Sequence, residues 1–291
     1  MYVVILAGAS GTRQRPLTGG ERPVMFERDG DGPTVLERTL SRVANLVDSL
    51  DIVVVADRRH GQAVREVAPD ALILTEPMNR NTAASIALAT VAVNRPDREP
   101  MLVLSADHDL ERPEVFEDAV ETLDREISRG VPGITRPLVT FGIRPTGPDP
   151  QFAYIRPRYG DVVRAGALRV FPADGYEAAP GPARSRALFD SGTAYWSSGI
   201  YLWQRGAIRE AIERYTPLLT LIEPAYRSEL ALRSAYDRLQ PMSIDEAVLV
   251  GAARDGAVMT TPLDAGWREV RPGGSTEVGL NGAGKQSPPA G

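Results

Sequence analysis

Met1-Tyr2-Val3-Val4-Ile5-Leu6-Ala7-Gly8-Ala9-Ser10-Gly11-Thr12-Arg13-Gln14-Arg15-Pro16-Leu17-Thr18 opens the chain, and its reading decides the fold. Tyr2-Val3-Val4-Ile5-Leu6 is an apolar, mostly β-branched run, short enough for a buried strand and too short to cross a membrane. The small residues after it let the backbone turn tightly and approach a ligand without a Cβ in the way. Successive backbone N–H groups in such a turn make a concavity that binds anions. Arg13 adds a permanent charge whose fork matches phosphate oxygens. The stretch reads as a strand feeding a nucleotide-phosphate loop; the plainer alternative is a strand and an ordinary turn. A P-loop would end in Gly-Lys-Ser/Thr, and a dinucleotide fingerprint would need three glycines where only Gly8 and Gly11 stand.

Downstream, the same alternation repeats. After a polar loop at 29–33, Val35, Leu36, Leu40, Val43 and Val47 fall at helical spacing, with Thr34 placed to cap. Ile52-Val53-Val54-Val55-Ala56 is a second strand, 60–67 a short helix and 71–74 a third strand. Asn81 can cap a helix running to Ala92, 101–104 is a fourth strand, Pro113 opens another helix and 138–143 is a fifth strand. Alternating strands and helices imply a parallel, doubly wound sheet, which takes ligands at the carboxyl ends of its strands. Gly8–Arg13, residues 76–82 and residues 107–109 each follow a strand directly.

Beyond Ile143 the pattern turns β-rich. Strands are expected at 153–157, 162–171, 195–203 and 257–263, helices at 205–215 and 218–239, and a long loop at 172–191. Ser243-Ile244-Asp245-Glu246 is a capping-box pattern. Residues 271–291 are rich in Gly, Pro and Ser and nearly free of large apolar side chains, so disorder is expected there. The organisation implied is one unit over 1–270, with a nucleotide-binding part at 1–143 and a β-rich part at 144–270.

Bulk properties narrow the function. A net charge of −5 lacks the basic face of a nucleic-acid protein. With no cysteine there is no disulfide, thiolate zinc site or cysteine nucleophile. The N-terminus lacks the pattern of a signal peptide, and no apolar run approaches the ~18 residues of a spanning helix. A cytoplasmic protein without membrane partners is expected. Lys285 is the sole lysine; every other basic side chain except histidine is arginine.

The opening stretch resembles the signature of sugar nucleotidyltransferases, Gly-Gly-x-Gly-Thr-Arg-Leu-x-Pro-Leu-Thr. Glu76-Pro77-Met78-Asn79-Arg80-Asn81-Thr82-Ala83 resembles a segment of mannose-1-phosphate guanylyltransferases that lies along the nucleoside. The chemistry allows this, because a carboxylate accepts two donors from a guanine edge and Asn or Thr bonds base or ribose. Ser105-Ala106-Asp107-His108-Asp109 resembles the segment whose aspartate holds Mg²⁺ near the α-phosphate. Phe141-Gly142-Ile143-Arg144-Pro145-Thr146, Trp196-Ser197-Ser198-Gly199-Ile200-Tyr201, Ser243-Ile244-Asp245-Glu246-Ala247-Val248 and Pro262-Leu263-Asp264-Ala265-Gly266-Trp267 continue the likeness in family order.

The resemblance implies a three-layer α/β, Rossmann-like nucleotidyltransferase fold, with a mixed, mainly parallel central sheet and a β-rich sugar-side lobe. It implies transfer of a nucleotidyl group, GMP from GTP being favoured, to a sugar 1-phosphate or similar phosphate with release of pyrophosphate. Arg13 and Asp107 carry the catalytic expectation. Nucleotide contacts are expected from Leu6, Ala7, Gly8, Ala9, Ser10, Gly11, Thr12, Arg13, Glu76, Pro77, Arg80, Asn81, Thr82 and Asp107. Acceptor contacts are expected from Tyr154, Ser198, Gly199 and Asp245, and Mg²⁺ ligands from Asp107 and Glu269. His108 is expected to pack or hydrogen-bond rather than ligate. The sequence leaves room for a homodimer.

Departures from the pattern gather on the sugar-phosphate side. The family's Pro-Lys is Pro23-Val24, its Glu-Lys-Pro has no counterpart around Phe171-Pro172-Ala173-Asp174, Ser197 replaces an asparagine, and Glu269 stands for the second metal aspartate. Either Arg15 or Arg22 supplies the missing charge, or the chain binds nucleotides or nucleotide sugars without turnover. A third reading takes Asp107-His108-Asp109 as the Asp-x-Asp metal motif of a glycosyltransferase.

Overall fold

The computed structural model describes residues 1–8, 23–28, 30–130 and 136–270. Expectations at Ala9, Ser10, Gly11, Thr12, Arg13, Arg15 and Arg22, and for the tail 271–291, lie outside the described residues.

Strands β1 (Tyr2–Leu6), β2 (Ile52–Asp57), β3 (Leu72–Glu76) and β4 (Pro100–Ser105) pair in parallel in the order β3-β2-β1-β4. Val4 lies between Val53 and Val103. Every residue of β1 is buried, as a central strand covered on both faces requires. Alternate residues serve opposite cores. Tyr2, Val4 and Leu6 pack with α3 (Asn81–Ala92), while Val3, Ile5 and Ala7 pack with α1 (Val35–Val43) and, beyond them, α4 (Pro113–Arg129). α2 (Gly61–Val67) joins β2 to β3. Thr34 caps α1 in a capping box: Glu37 N donates to its Oγ1 at 3.1 Å, and its own N donates to Glu37 Oε2 at 2.6 Å.

The same sheet runs on through the second half. β6 (Leu138–Ile143), β7 (Tyr154–Pro157), β8 (Val163–Ala165), β9 (Leu168–Glu177), β10 (Tyr195–Gln204) and β11 (Val258–Pro262) extend it in the order β4-β10-β6-β11-β9-β7, with β8 on β9. β6–β11 is the parallel pair here and the other pairings are antiparallel, so parallel pairing dominates only the first half. β10 sits between β4 and β6, which joins the two halves in one sheet.

β10 also forks. Its C-terminal half pairs with β4, Tyr201 opposite Val103, whereas its N-terminal end pairs with β7, Trp196 opposite Tyr154. The register against β6 shifts between Ser197 and Tyr201. The ladder therefore opens beside Ser198 and Gly199, where β4 and β7 part.

Several elements differ from expectation. Residues 172–191 are not a loop: β9 runs to Glu177, and α5 (Pro182–Asp190) follows. Pro172 lies within β9, its carbonyl accepting from Arg158 N at 2.8 Å, and Pro182 sits in the first helical turn, where its missing N–H is harmless. After α6 (Arg205–Tyr215), the expected helix 218–239 divides into α7 (Leu218–Ile222) and α8 (Glu229–Asp237), with Pro224 between them. Asp245–Leu249 is a π-helical turn leading into α9 (Val250–Arg254). Two short strands were not expected, β5 (His108–Leu110) and β12 (Trp267–Glu269), which form a separate antiparallel ribbon. No described helix is long and apolar enough to cross a membrane.

Candidate active site

The fork of β10 opens into a cleft of about 420 Å³. Leu6 and Ser105 reach it from the carboxyl ends of β1 and β4. Ser197, Ser198 and Gly199 line it from the fork, Asn81 and Thr82 from the start of α3, Asp245 from the π-turn, and Trp267 and Glu269 from β12.

The β5–β12 ribbon brings together residues far apart in sequence. Glu269 pairs with His108 and Arg268 with Asp109, while Val270 N donates to the Asp107 carbonyl at 2.7 Å. Asp107 Oδ1 lies 3.3 Å from His108 Nε2 and accepts from Ser105 Oγ. Asp107, His108 and Glu269 each offer a ligand atom, all within 4.8 Å of one another. Two carboxylates and an imidazole at a cleft wall form a donor set that fits a divalent cation. The charged residues of the described lining are otherwise carboxylates, Asp245 and Glu246, so phosphates bound here need positive charge from a metal or from residues beyond those described.

Asp109 faces the other way. Its carboxylate meets Arg268 Nη2 at 2.7 Å, and Arg38 Nε and Arg42 Nη2 at 3.5 Å each. Burial pushes its pKa up, but the Arg268 hydrogen bond and the three guanidinium charges outweigh burial and leave it below the ordinary carboxyl range. Arg42 is itself buried and also donates to the His108 carbonyl at 3.2 Å; burial lowers its pKa to about 10 against the pull of Asp109.

Across the cleft, Asp245 sits in a cage of hydroxyls. Tyr176, Ser197 at 3.2 Å and Tyr201 at 3.1 Å all donate to Oδ1, and none of these bonds uses Oδ2. Burial, then the charge of Asp245, drives the Tyr176 pKa well up, so the phenol stays a donor. Gly199 completes this wall. Its φ is +72°, and a Cβ there would stand 2.8 Å from His108 Cε1, so any other residue would strain the backbone and displace the imidazole.

Of the residues singled out from sequence, Leu6, Asn81, Thr82, Asp107, Ser198, Gly199, Asp245 and Glu269 converge on the cleft. Asn81 has a φ of +66° and takes the Thr82 N–H on its own side chain, so it begins α3 in a left-handed turn rather than as its N-cap, a position held by Arg80. Thr82 Oγ1 accepts from Ile244 N at 2.8 Å, tying α3 to the π-turn.

Others lie behind the cleft. Ala7 is buried, its N–H on the Val55 carbonyl. Gly8 passes so close to β2 that a Cβ would stand 3.0 Å from Asp57 N and 3.2 Å from Glu76 Oε2. Glu76 is buried, with Ser85 donating to Oε2 at 2.8 Å and Tyr236 to Oε1 at 3.0 Å. Burial raises its pKa to about 7, opposed by these two bonds and reinforced by Asp57. Its oxygens therefore serve the fold, not a guanine edge. Arg80 Nε donates to the Tyr236 carbonyl at 2.7 Å, and Pro77 lines a separate hollow between β3 and α8. Tyr154, expected at the acceptor, is fully buried, and its hydroxyl accepts from Asp149 N at 3.0 Å.

Sequence reading missed the Tyr176–Ser197–Tyr201 cage, the three-arginine clasp on Asp109, and Ala178 and Ala179. These two alanines line the cleft just past β9, beyond the segment 171–174 expected there, which lies largely within the sheet. Val24 also lines the cleft and packs with Val35 and Val270.

The comparisons agree with this architecture. The chain is 35% identical over 287 residues to the mannose-1-phosphate guanylyltransferase ManC of Salmonella typhimurium, covering 93% of this chain and 57% of that protein. It is 31% identical over 281 residues to the xanthan biosynthesis protein XanB of Xanthomonas campestris, covering 92% and 56%. The chain thus spans little more than half the length of the curated relatives it matches. Among solved structures, one described as a mannose-1-phosphate geranyltransferase from Thermus thermophilus is 28% identical, with a TM-score of 0.72, over 91% of this chain and 75% of that one. A UDP-glucose pyrophosphorylase bound to UDP-glucose, 12% identical with a TM-score of 0.58 over 92% of each chain, shares the fold. With residues 2–221 also matching the family model described as nucleotidyl transferase, the chain belongs to the nucleotidyl transferase family.

Proposed function

We propose that the chain transfers a nucleotidyl group, GMP from GTP, to a sugar 1-phosphate of the mannose 1-phosphate type. The observation that carries this is the pairing of Asp107 and Glu269 on one wall of the β10 fork, opposite the hydroxyl-caged Asp245. The names of the relatives at about a third identity support guanine and mannose.

In this reading an acceptor phosphate oxygen forms a bond to the α-phosphorus of GTP in line with the departing pyrophosphate, whose bridging P–O bond breaks. A divalent cation, Mg²⁺ by the family resemblance, supplies charge neutralisation at the α-phosphate when bound. Asp107 and Glu269 hold it, and Ser105 orients Asp107. Asn81 and Thr82 flank the nucleoside, and backbone amides after Gly8 together with Arg13 meet the phosphates. Ser198 and the Oδ2 of Asp245 take acceptor hydroxyls; the cage on Oδ1 keeps that carboxylate from rotating.

Pyrophosphate release with GTP and a panel of sugar phosphates tests the proposal. Turnover with mannose 1-phosphate or a close analogue is expected, and turnover with none of them would overturn it. One observation favours a second reading, a nucleotide-binding homologue without turnover. Val24 occupies the position of the family's lysine, and it is held in an apolar cluster with Val35 and Val270. GTP binding without pyrophosphate release would favour that reading. The glycosyltransferase alternative loses its motif, because Asp109 is bound to three arginines and stands outside the Asp107 cluster.

A further inference from the structure

We propose that the preferred acceptor is an acetamido sugar 1-phosphate, its acyl methyl lying on a shelf of alanines at the β10 fork and its amide meeting Ser198 and Asp245. The proposal rests on the reading above, that the chain transfers GMP to a sugar 1-phosphate, and names the class of sugar.

The shelf follows from register. Tyr154 of β7 stands between Glu177 of β9 and Trp196 of β10. One step on, Ala178, Ala153 and Ser197 leave these three strands at the cleft, and Ser197 N donates to the Ala153 carbonyl at 2.8 Å. The Ser197 hydroxyl is spent on Asp245 Oδ1 at 3.2 Å and lies 2.8 Å from the Tyr176 hydroxyl. The row therefore offers methyl groups where the resemblance would put a lysine and an asparagine. Ala179 extends it in a left-handed conformation, with a φ of +45°. Glycine adopts that conformation at less cost, so the chain keeps this methyl against a backbone preference.

Two polar atoms complete the match. Asp245 is 5% exposed, and its Oδ2 takes no hydrogen bond among the described residues. Ser198 is 1% exposed; its Oγ accepts from Ile200 N at 3.1 Å, and its O–H has no acceptor among the described residues. One acceptor and one donor thus remain unspent beside the alanines. An acetamido group brings an N–H, a carbonyl and a methyl, which answer Oδ2, the Ser198 O–H and the shelf in turn. A bare hydroxyl at the same place leaves the methyls uncovered, and each apolar group fitted to an apolar wall is worth tenfold or more in selectivity. A carboxylate-bearing sugar is disfavoured, because the described lining holds no lysine or arginine to pair with it.

Pyrophosphate release by the full chain with GTP and Mg²⁺ tests this, comparing mannose 1-phosphate with its 2-, 3- and 4-acetamido analogues. At least one analogue should exceed mannose 1-phosphate tenfold or more in kcat/KM. Ala178→Leu, which fills the shelf, should cut that ratio at least tenfold; a ratio of two substrates on one protein is insensitive to the amount that folds. Mannose 1-phosphate used as well as every analogue would overturn the acetamido acceptor and leave the transferase standing. A preference that Ala178→Leu leaves intact would take the acyl group off the shelf and overturn it equally. Turnover with none of the four, or with any other sugar phosphate, would overturn both.

Discussion

Glu76 illustrates how a residue singled out for ligand chemistry can instead be committed to the fold. Its carboxyl is buried, with a folded pKa of about 7 against an ordinary 4.5. Because the folded value is raised, the folded chain binds the extra proton between those limits. This contribution to stability is fullest below pH 4.5 and is lost as pH rises through 7, an effect of about 3 kcal/mol over the window. Thermal melts from pH 5 to 8 should therefore fall more steeply in the wild type than in Glu76→Gln; parallel curves would place the proton elsewhere. Asp109 has the opposite sign. Asp109→Asn leaves Arg42 buried beside a neutral partner, and urea unfolding at pH 7 should show a loss of about 3 kcal/mol, since removing one member of a buried ion cluster strands the other. A loss below about 1 kcal/mol would mean that the arginines find other partners.

At the scale of elements, the strands with continuous apolar runs and the helices with clear caps were legible in the sequence. β1, β2, β4, α1 and α4 appear where composition and spacing put them, because burial on both faces of a parallel sheet and capping are local signals. Replacing the α1 cap, Thr34→Ala, should cost about 1 kcal/mol by denaturant titration with no change in the unfolding slope. The elements that build the site were harder to read. β5 and β12 are three residues each, too short for any periodicity, and their pairing is fixed by a contact between Asp109 and Arg268 that no local pattern announces. The second half of β9 and all of α5 were hidden by Pro172 and Pro182, which read as breakers, although Pro182 sits in the first helical turn, where a missing N–H does no harm. Motif resemblance found Asp107 and Glu269 individually, but the ribbon that joins them is a tertiary fact. Arg268→Ala should leave the ribbon's register loose. Divalent-ion titration should show weaker binding by about tenfold while the melting temperature moves only a few degrees, as Arg38 and Arg42 still neutralise Asp109. Unchanged ion affinity would mean that backbone pairing alone sets the register.

At the scale of the whole molecule, one sheet frames the cleft from both of its halves. Its parallel half ends at Leu6 and Ser105, its antiparallel half splits at Ser198 and Gly199, and the cleft lies where the two diverge. Along that cleft the chain departs from the family resemblance at Val24 and Ser197, and Ala178 and Ala179 line it just past β9. The measurement that bears most directly on this account is pyrophosphate release from GTP with mannose 1-phosphate and a divalent cation, comparing wild type with Asp107→Asn. The account predicts one pyrophosphate per nucleotide sugar formed by the wild type, and a loss of at least a hundredfold in the variant at an unchanged melting temperature. Equal rates from the two proteins would remove the Asp107 wall from the reaction and contradict the account.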